Sequence, residues 1–370
     1  MRFIIFATIF LTVFALLSLY IYKRFICKLD IKKRYKTSLI YFLVINFFGI
    51  IAYMMTRYLV SVPNEIYFLL SLPIGVLFIL FITTLIFEFL NQLPKTIKDE
   101  KRRAFFKKSI DVGSIALALG LSSKAAYNAK NTLIEDVEIK IKNLKQSYKI
   151  VQLSDVHIGG IIDKEFIASM VEKVNTLNAD IVVITGDLID TNLSFVIDVV
   201  DELKNLKSKY GTHFIVGNHE YFHGARGIMD YLSSIGINVL ENENVYIGEE
   251  PNGFNLAGVY DVMGYRVDSL KPDINKALIG TSSSPTVLLA HQPKYIEEVV
   301  NVDLVLSGHT HGGQIQPFGL LVKLQQPYLK GLHKHNETTQ IYVNKGTGFW
   351  GPPMRLGSNA EISNITITPA

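Results

Sequence analysis

The sequence predicts a chain in two parts, with membrane-crossing α-helices at the N-terminus and a globular α/β domain after them. Three observations carry this. Three long apolar runs lie before residue 90. The charge balance then reverses: residues 1–131 hold 18 Lys and Arg against 6 Asp and Glu, whereas residues 132–370 hold 19 against 27. From about residue 134, short β-branched runs alternate with helix-like segments, the texture of an α/β fold. A hydrophobic content of 49% and a mean hydropathy of +0.26 exceed what a soluble domain usually carries, and the three runs account for the excess.

The first run, residues 3–22, is uncharged over twenty positions, enough to cross a hydrocarbon core as a helix. A cleaved signal peptide fits it poorly, because the run is long for that role and "KRFICKL" comes after it where small residues would be needed. Residues 38–55 and 66–87 repeat the pattern, the latter with Pro73 and Gly75 inside, which helices in a bilayer tolerate. Three such runs separated by short charged loops are not the pattern of a soluble core.

Basic residues cluster between the first two runs (Lys23 to Lys36) and after the third (Lys95 to Lys108). Positive charge marks the cytoplasmic side, so both loops are expected inside and the N-terminus outside. Read as a nucleic-acid surface, the same charges lack interleaved aromatics and any binding motif, so no nucleic-acid partner is expected. The one cysteine, Cys27, excludes a disulfide framework or a thiolate metal site within one chain.

Residues 102–126 begin with Arg102-Arg103 and continue into an Ala/Gly-rich run. They resemble a twin-arginine export signal displaced from the N-terminus. Charge falls away behind the basic front, so a fourth crossing over 112–121 is expected, which would put the domain beyond it on the extracytoplasmic face. The boundary is expected near residue 131, with 1–131 as a membrane domain, 122–133 as its tether and 132–370 as the globular domain.

In that domain "YKIVQLS", "ADIVVIT", "THFIVG", "FNLAGV", "PTVLLA", "VDLVLS" and "QIYVN" read as strands. "KEFIASMVEKVNTL" and "SFVIDVVDELKNL" read as helices between them. Nearly every strand ends in a polar group suited to a metal. "QLSDVHIGG" supplies Asp155 and His157, "VITGDLID" Asp187 and Asp190, and "IVGNHEY" Asn218, His219 and Glu220; "LLAHQP" supplies His291, and "LSGHTHGGQ" His309 and His311. In open α/β sheets such loops converge at the carboxyl ends of strands. Imidazole, carboxylate and amide oxygen without thiolate suit Mn, Fe, Zn or Co.

The ordered series D-x-H, G-D-x-x-D, G-N-H-E, a lone strand-end His and G-H-x-H over residues 148–346 resembles the calcineurin-like metallophosphoesterase superfamily. The resemblance implies a four-layer sandwich of two β-sheets flanked by helices. It implies two divalent metal ions: Asp155, His157 and His311 at one, Asn218, His291 and His309 at the other, and Asp187 bridging them. It also implies that a water shared by the ions is activated to attack phosphorus, with His219 as the catalytic histidine. If "GHTH" is extended, residues i and i+2 point to opposite sides, so each histidine can serve a different ion, and the glycines allow close backbone approach. Glu220 is expected either to orient His219 or to lie exposed in a loop. Asp190 is expected to steady a ligand. His213 reads as structural, and His223, His333 and His335 as solvated surface.

The tail, with Gly331-Leu332, Gly346, Gly348, Pro353, Arg355 and Glu361-Ile362, resembles the branch of transmembrane proteins with a metallophosphoesterase domain. Arg355 is a candidate phosphate-binding fork, with a structural ion pair as the alternative. The resemblance implies hydrolysis of a phosphoester or diphosphate. Its substrate is then a phosphorylated small molecule or a lipid-linked one such as UDP-2,3-diacylglucosamine of lipid A synthesis, with membrane lipids as neighbours. A non-catalytic membrane scaffold would lack ligand positions, and all are filled. A nuclease would want a basic groove, and this half is acidic.

Overall fold

The computed structural model describes residues 2–58 and 62–370. Two compact units divide the chain, residues 1–127 with 351–354 and residues 128–350 with 355–370.

In the first unit, α1 (Arg2–Arg24), α2 (Lys33–Tyr58) and α3 (Asn64–Leu90) are the three apolar runs. Among the described residues, three stretches have the length and hydropathy to cross a membrane: Ala7–Lys28, Lys33–Thr56 and Asn64–Leu90. The helices bury Phe14, Ile21, Leu43, Ile50, Leu77 and Phe87 against one another. They nonetheless leave Ile9, Leu16, Ile45, Phe48 and Leu69 exposed. Helices apolar all round are suited to lipid rather than water. Gly49 of α2 meets α3 at Pro73, whose Cγ would lie 2.8 Å from a Cβ placed there, so a small residue is what permits the approach. Glu88 of α3 accepts a hydrogen bond from the Tyr20 hydroxyl and is neutralised by Arg24 and Lys28.

The expected fourth crossing lies inside α4 (Glu100–Lys130), which is longer than the other three and is not among the membrane-length apolar helices. Its front is charged, and Lys107 and Asp111 pair one turn apart. Asp111 is buried and accepts from the Asp30 amide at 2.8 Å, while the Lys107 ammonium donates to the Lys28 carbonyl oxygen at 3.1 Å. These bonds tie α4 to the first basic loop.

The second unit contains twelve named strands in two six-stranded sheets, of order β1-β12-β2-β3-β4-β5 and β10-β11-β9-β8-β7-β6. In the first sheet, β2 (Tyr148–Leu153), β3 (Ile181–Thr185), β4 (Thr212–Ile215) and β5 (Asn238–Val239) run parallel. In the second, β7 (Phe254–Gly258), β8 (Thr286–Leu289), β9 (Leu304–Ser307) and β11 (Gln340–Val343) run parallel, with β6 (Glu243–Ile247) and β10 (Gly331–Lys334) antiparallel at the edges. All seven expected strands are present. β1 (Leu133–Ile141) and β12 (Glu361–Pro369) were not expected as strands, and β12 joins parallel to β1 and antiparallel to β2.

Period-two alternation sets the layers. Ile150, Ile181 and Val183 point between the sheets to meet Leu256, Val287, Leu304 and Tyr342. Val151, Leu153, Val182 and Ile184 point outward, under α5 (Lys164–Thr176) and α8 (Ala225–Ser234). The outer face of the second sheet is covered by short turns carrying Ile274, Ala277, Tyr295 and Ile296. Two sheets between helical flanks match the predicted sandwich. α5 starts where Asp163 caps it by accepting from the Phe166 amide. The second expected helix is broken into a 3-10 turn (Leu193–Phe195), α6 (Ile197–Val200) and a second 3-10 turn (Asp201–Asn205). Its β-branched cluster Val196, Ile197, Val199 and Val200 disfavours a continuous helix.

Candidate metal centre

The loops leaving the parallel strands of both sheets meet at one end of the sandwich. The turns there are tight and left-handed. Asp155, His157, Asp187, His309 and His311 have φ between 49° and 70°, a region that costs a non-glycine residue roughly 1 kcal/mol or more. Backbone bonds hold the turns in place: Asp155 N to Gly186 O at 3.0 Å, His157 N to Asp187 O at 3.1 Å and Gly308 N to His291 O at 2.9 Å. "GHTH" is therefore not an extended stretch, and His311 opens a 3-10 turn. The two histidines still part to different clusters, by left-handed turns rather than strand alternation.

Asp155, His157 and His311 form one group, and Asp187, His291 and His309 another, with ligand atoms within 4.8 Å of one another in each. Asp187 also groups with His157 and His219, and so lies between the two. The His157 and His311 Nε2 atoms face each other at 3.0 Å. His291 Nδ1 donates to the Thr185 carbonyl at 2.7 Å, which leaves Nε2 toward Asp187 Oδ2 and Asn218 Oδ1, each at 3.2 Å. That bond fixes the tautomer a metal ligand needs. Gly217 and Gly308 are close-approach residues, since a Cβ would strike the Asp187 carboxylate at the first and Ser154 and Asp155 at the second.

Burial pushes Asp155 up to about 6, against the pull of His291 and of hydrogen bonds from Ser154 and the His309 amide. Burial works the same way on Asp187, but His291 and His219 outweigh it and hold that carboxylate well below its ordinary range. Burial, with His291 beside it, lowers His309 to about 3, and burial with His157 and Arg355 drives His311 well below its ordinary value. His309 and His311 are thus neutral beside carboxylates, the state in which nitrogen ligates, whereas burial of His291 is outweighed by Asp187, which with Asp155 and Asp261 raises it well above its ordinary value. His309 Nδ1 is buried and has no hydrogen-bond partner among the described residues. An orphaned imidazole nitrogen in a carboxylate-imidazole set fits divalent ions.

Three expectations about the surrounding residues are corrected. Glu220 is fully buried and does not orient His219. Its carboxylate accepts from the Gly217, Asp187, Leu188 and Ile189 amides at 2.7, 3.1, 2.8 and 3.0 Å, locking two site loops together. Burial and Asp187 push it up to about 7. The four N–H donors act oppositely, and both oxygens can accept only when it is ionised. Asp190 is what holds His219, with Oδ1 2.6 Å from Nδ1. His223 is not free surface either, lying 3.6 Å from the same oxygen.

Arg355 is also buried, and it is neither a phosphate fork nor half of an ion pair. Its guanidinium donates to the Gly348, Lys345 and Gly346 carbonyls at 2.9, 2.8 and 3.0 Å and meets His311 Nδ1 at 3.1 Å. It braces the 345–348 loop and the His311 ring. His213 is buried as a structural residue, with Nε2 3.1 Å from the Tyr210 carbonyl, whereas beside Tyr328 His333 is half-buried and His335 exposed. Sequence reasoning missed Asp261. It is buried just past β7, accepts from Gln292 Nε2 at 2.9 Å and is pushed up by burial. Its signal was present, a carboxylate trailing "FNLAGV" as others trail their strands.

Residues 148–313 match the calcineurin-like phosphoesterase family. An uncharacterized metallophosphoesterase of Helicobacter pylori is 39% identical over 366 residues, covering 97% of each chain. The chain belongs to the calcineurin-like metallophosphoesterases. A further uncharacterized metallophosphoesterase, from Campylobacter jejuni, is 34% identical to this metallophosphoesterase over 98% of each chain. A Danio rerio protein named transmembrane protein with metallophosphoesterase domain is 34% identical over 80% of this chain and 72% of its own. Membership makes the chain a phosphoesterase-type hydrolase of a family that uses divalent metal, and its apolar helices associate it with a membrane.

Proposed function

We propose that this metallophosphoesterase is a membrane-anchored phosphohydrolase with a two-metal centre. The observation that carries the reading is the pair of adjoining Asp/His clusters with Asp187 between them. In it Asp155, His157 and His311 would hold one ion, and Asn218, His291 and His309 the second. Asp187, which groups with both sets, would supply the anion that two close dications need. When bound, the ions supply an acidified water and charge neutralisation for the phosphoryl oxygens.

The chain's own residues do the rest. Glu220 fixes the spacing of the Asp187 and Asn218 loops. Asp190 keeps a proton of His219 on Nδ1 and fixes the ring, so that Nε2 is the nitrogen free to protonate the leaving oxygen. His219 Nε2 lies 3.8 Å from Asp187 Oδ2. The amphiphilic substrate reading, a lipid-linked diphosphate such as UDP-2,3-diacylglucosamine, draws support from Phe222 and Trp350. Both are exposed and edge-on to His219, with ring centroids at 6.1 and 6.2 Å.

The metal-free full chain in detergent should be inactive on soluble aryl phosphoesters and recover with Mn or Zn. Asp187→Asn should remain inactive in both states. Full activity without metal, or in the variant, overturns the two-metal reading. A substrate panel of soluble esters and detergent-dispersed lipid diphosphates separates the two substrate readings.

For membrane sidedness, three crossings with both basic loops inside leave the catalytic domain cytoplasmic. This revises the extracytoplasmic placement that a fourth crossing would give, and its support is that α4 is not a membrane-length apolar helix. A cytoplasm-active reporter fused at Asn131 should be active and alkaline phosphatase there silent. The reverse result restores the fourth crossing.

A further inference from the structure

The segment after the metal-centre turn is unlike the rest of its domain. Residues 304–336 contain no Asp or Glu and three Lys, inside a half of the chain that is otherwise acidic. Phe318, Leu320, Leu321 and Leu324 are 44, 66, 56 and 79% exposed. They sit on and beside the short helix Gly319–Val322, with Lys323 and Lys330 exposed among them. Large apolar side chains next to one another in water are a cost unless something covers them.

The segment is also fastened to the centre. Gln316 Nε2 donates to the Gly312 carbonyl at 2.8 Å, Gly313 packs on Gly319 with no room for a Cβ, and the Gln314 amide side chain makes two hydrogen bonds to the Trp350 backbone. The Thr310 hydroxyl reaches the Leu329 carbonyl at 2.6 Å.

We propose that this apolar, basic-edged segment is a lipid-surface contact, dipping Phe318, Leu320, Leu321 and Leu324 into the interface of an anionic bilayer. Two features select that occupant. The chain carries membrane-length helices, so a bilayer is always at hand. The charge on the segment is of one sign and complementary to anionic headgroups, the combination by which interfacial segments bind. Through Gly312 and Gly313 the contact would set the mouth of the centre at the depth where a phosphate headgroup lies. The inference rests on membrane attachment and not on which ester is cleaved.

The test uses the full chain in vesicles of anionic or of neutral lipid brominated near the headgroup. Trp350, the sole tryptophan, is replaced by Phe, and Leu321→Trp supplies the probe, with Phe195→Trp at another exposed position as the control. In anionic vesicles the Leu321→Trp emission should shift to the blue and be quenched far more than the Phe195→Trp emission, and the effect should weaken in neutral lipid. Equal quenching at positions 321 and 195 overturns the proposal, as does burial of the probe in detergent by a second copy of the chain. In an otherwise native chain, Leu320→Ser/Leu321→Ser/Leu324→Ser should lose most turnover of a vesicle-borne lipid phosphate and keep turnover of a soluble aryl ester. Equal turnover of both by native and triply substituted protein also counts against it. Loss of all phosphoesterase activity in the native chain would refute the proposed function while leaving the quenching result standing.

Discussion

Replacing Glu220 by Gln isolates the role that the carboxylate plays between two loops. Oε1 accepts from Leu188 and Ile189, and Oε2 from Gly217 and Asp187. An amide keeps one accepting oxygen and turns an NH2 toward the other pair of donors. Two buried N–H groups then lose their partners, at about 1–3 kcal/mol each, or roughly 2–6 kcal/mol together. For a domain of this size that corresponds to a fall in Tm of roughly 5–20 °C. Trp350 is the only tryptophan and lies against His219, so its fluorescence tracks the melting of this region directly. Metal content should fall as well, because the Asp187 and Asn218 loops are no longer held at a fixed spacing. A native Tm together with native metal content in Glu220→Gln would refute the view that this carboxylate locks the loops.

The same geometry sets three other outcomes. His219→Ala should keep its metal and lose about 10²–10⁴ in kcat, whereas His309→Ala should lose metal, as measured by elemental analysis beside turnover. Asp190→Asn should lower kcat more than it changes KM, because the ring of His219 loses the carboxylate that holds its Nδ1. Metal affinity should fall as pH drops through about 6, where Asp155 takes up its proton. The sign for stability is the reverse: because burial raises the folded value above the ordinary one, the metal-free fold should weaken as pH rises from about 4 to 6, and the gain in Tm on adding metal should widen over the same window.

The candidate ligands were legible because each comes directly after a β-branched run, and parallel strands deliver their trailing loops to one end of a sheet. Their neighbours were less legible, for physical reasons. Glu220 sits one residue from His219, and adjacency in sequence suggested contact. The helix α7 (Asn218–His223) carries both residues and swings the two side chains apart, one to the backbone and one to Asp190. Arg355 carries the right chemistry for phosphate, yet burial and carbonyl acceptors decide its role, and neither is written locally in sequence. Strand β1, "LIEDVEIKI", alternates well but is acidic and mostly exposed. It pairs only because β12, more than two hundred residues later, lies beside it. The α4 helix was visible as a weakly apolar run, but its Lys107–Asp111 pair and its tie to residue 30 depend on tertiary contacts.

The position of β12 also orders events during synthesis. It lies between β1 and β2 and bonds to both, so the first sheet has a missing rung until residues 361–369 are made. Arg355, which steadies His311, arrives scarcely earlier. A ribosome has therefore delivered every candidate metal ligand before the scaffold that aligns them can close, and domains that close on such distant pairings fold late. The nascent protein, its apolar helices already made, waits with an unassembled centre. A premature stop anywhere between residues 314 and 361 yields a fragment that carries the apolar helices and the complete motif series but lacks β12, the strand between β1 and β2.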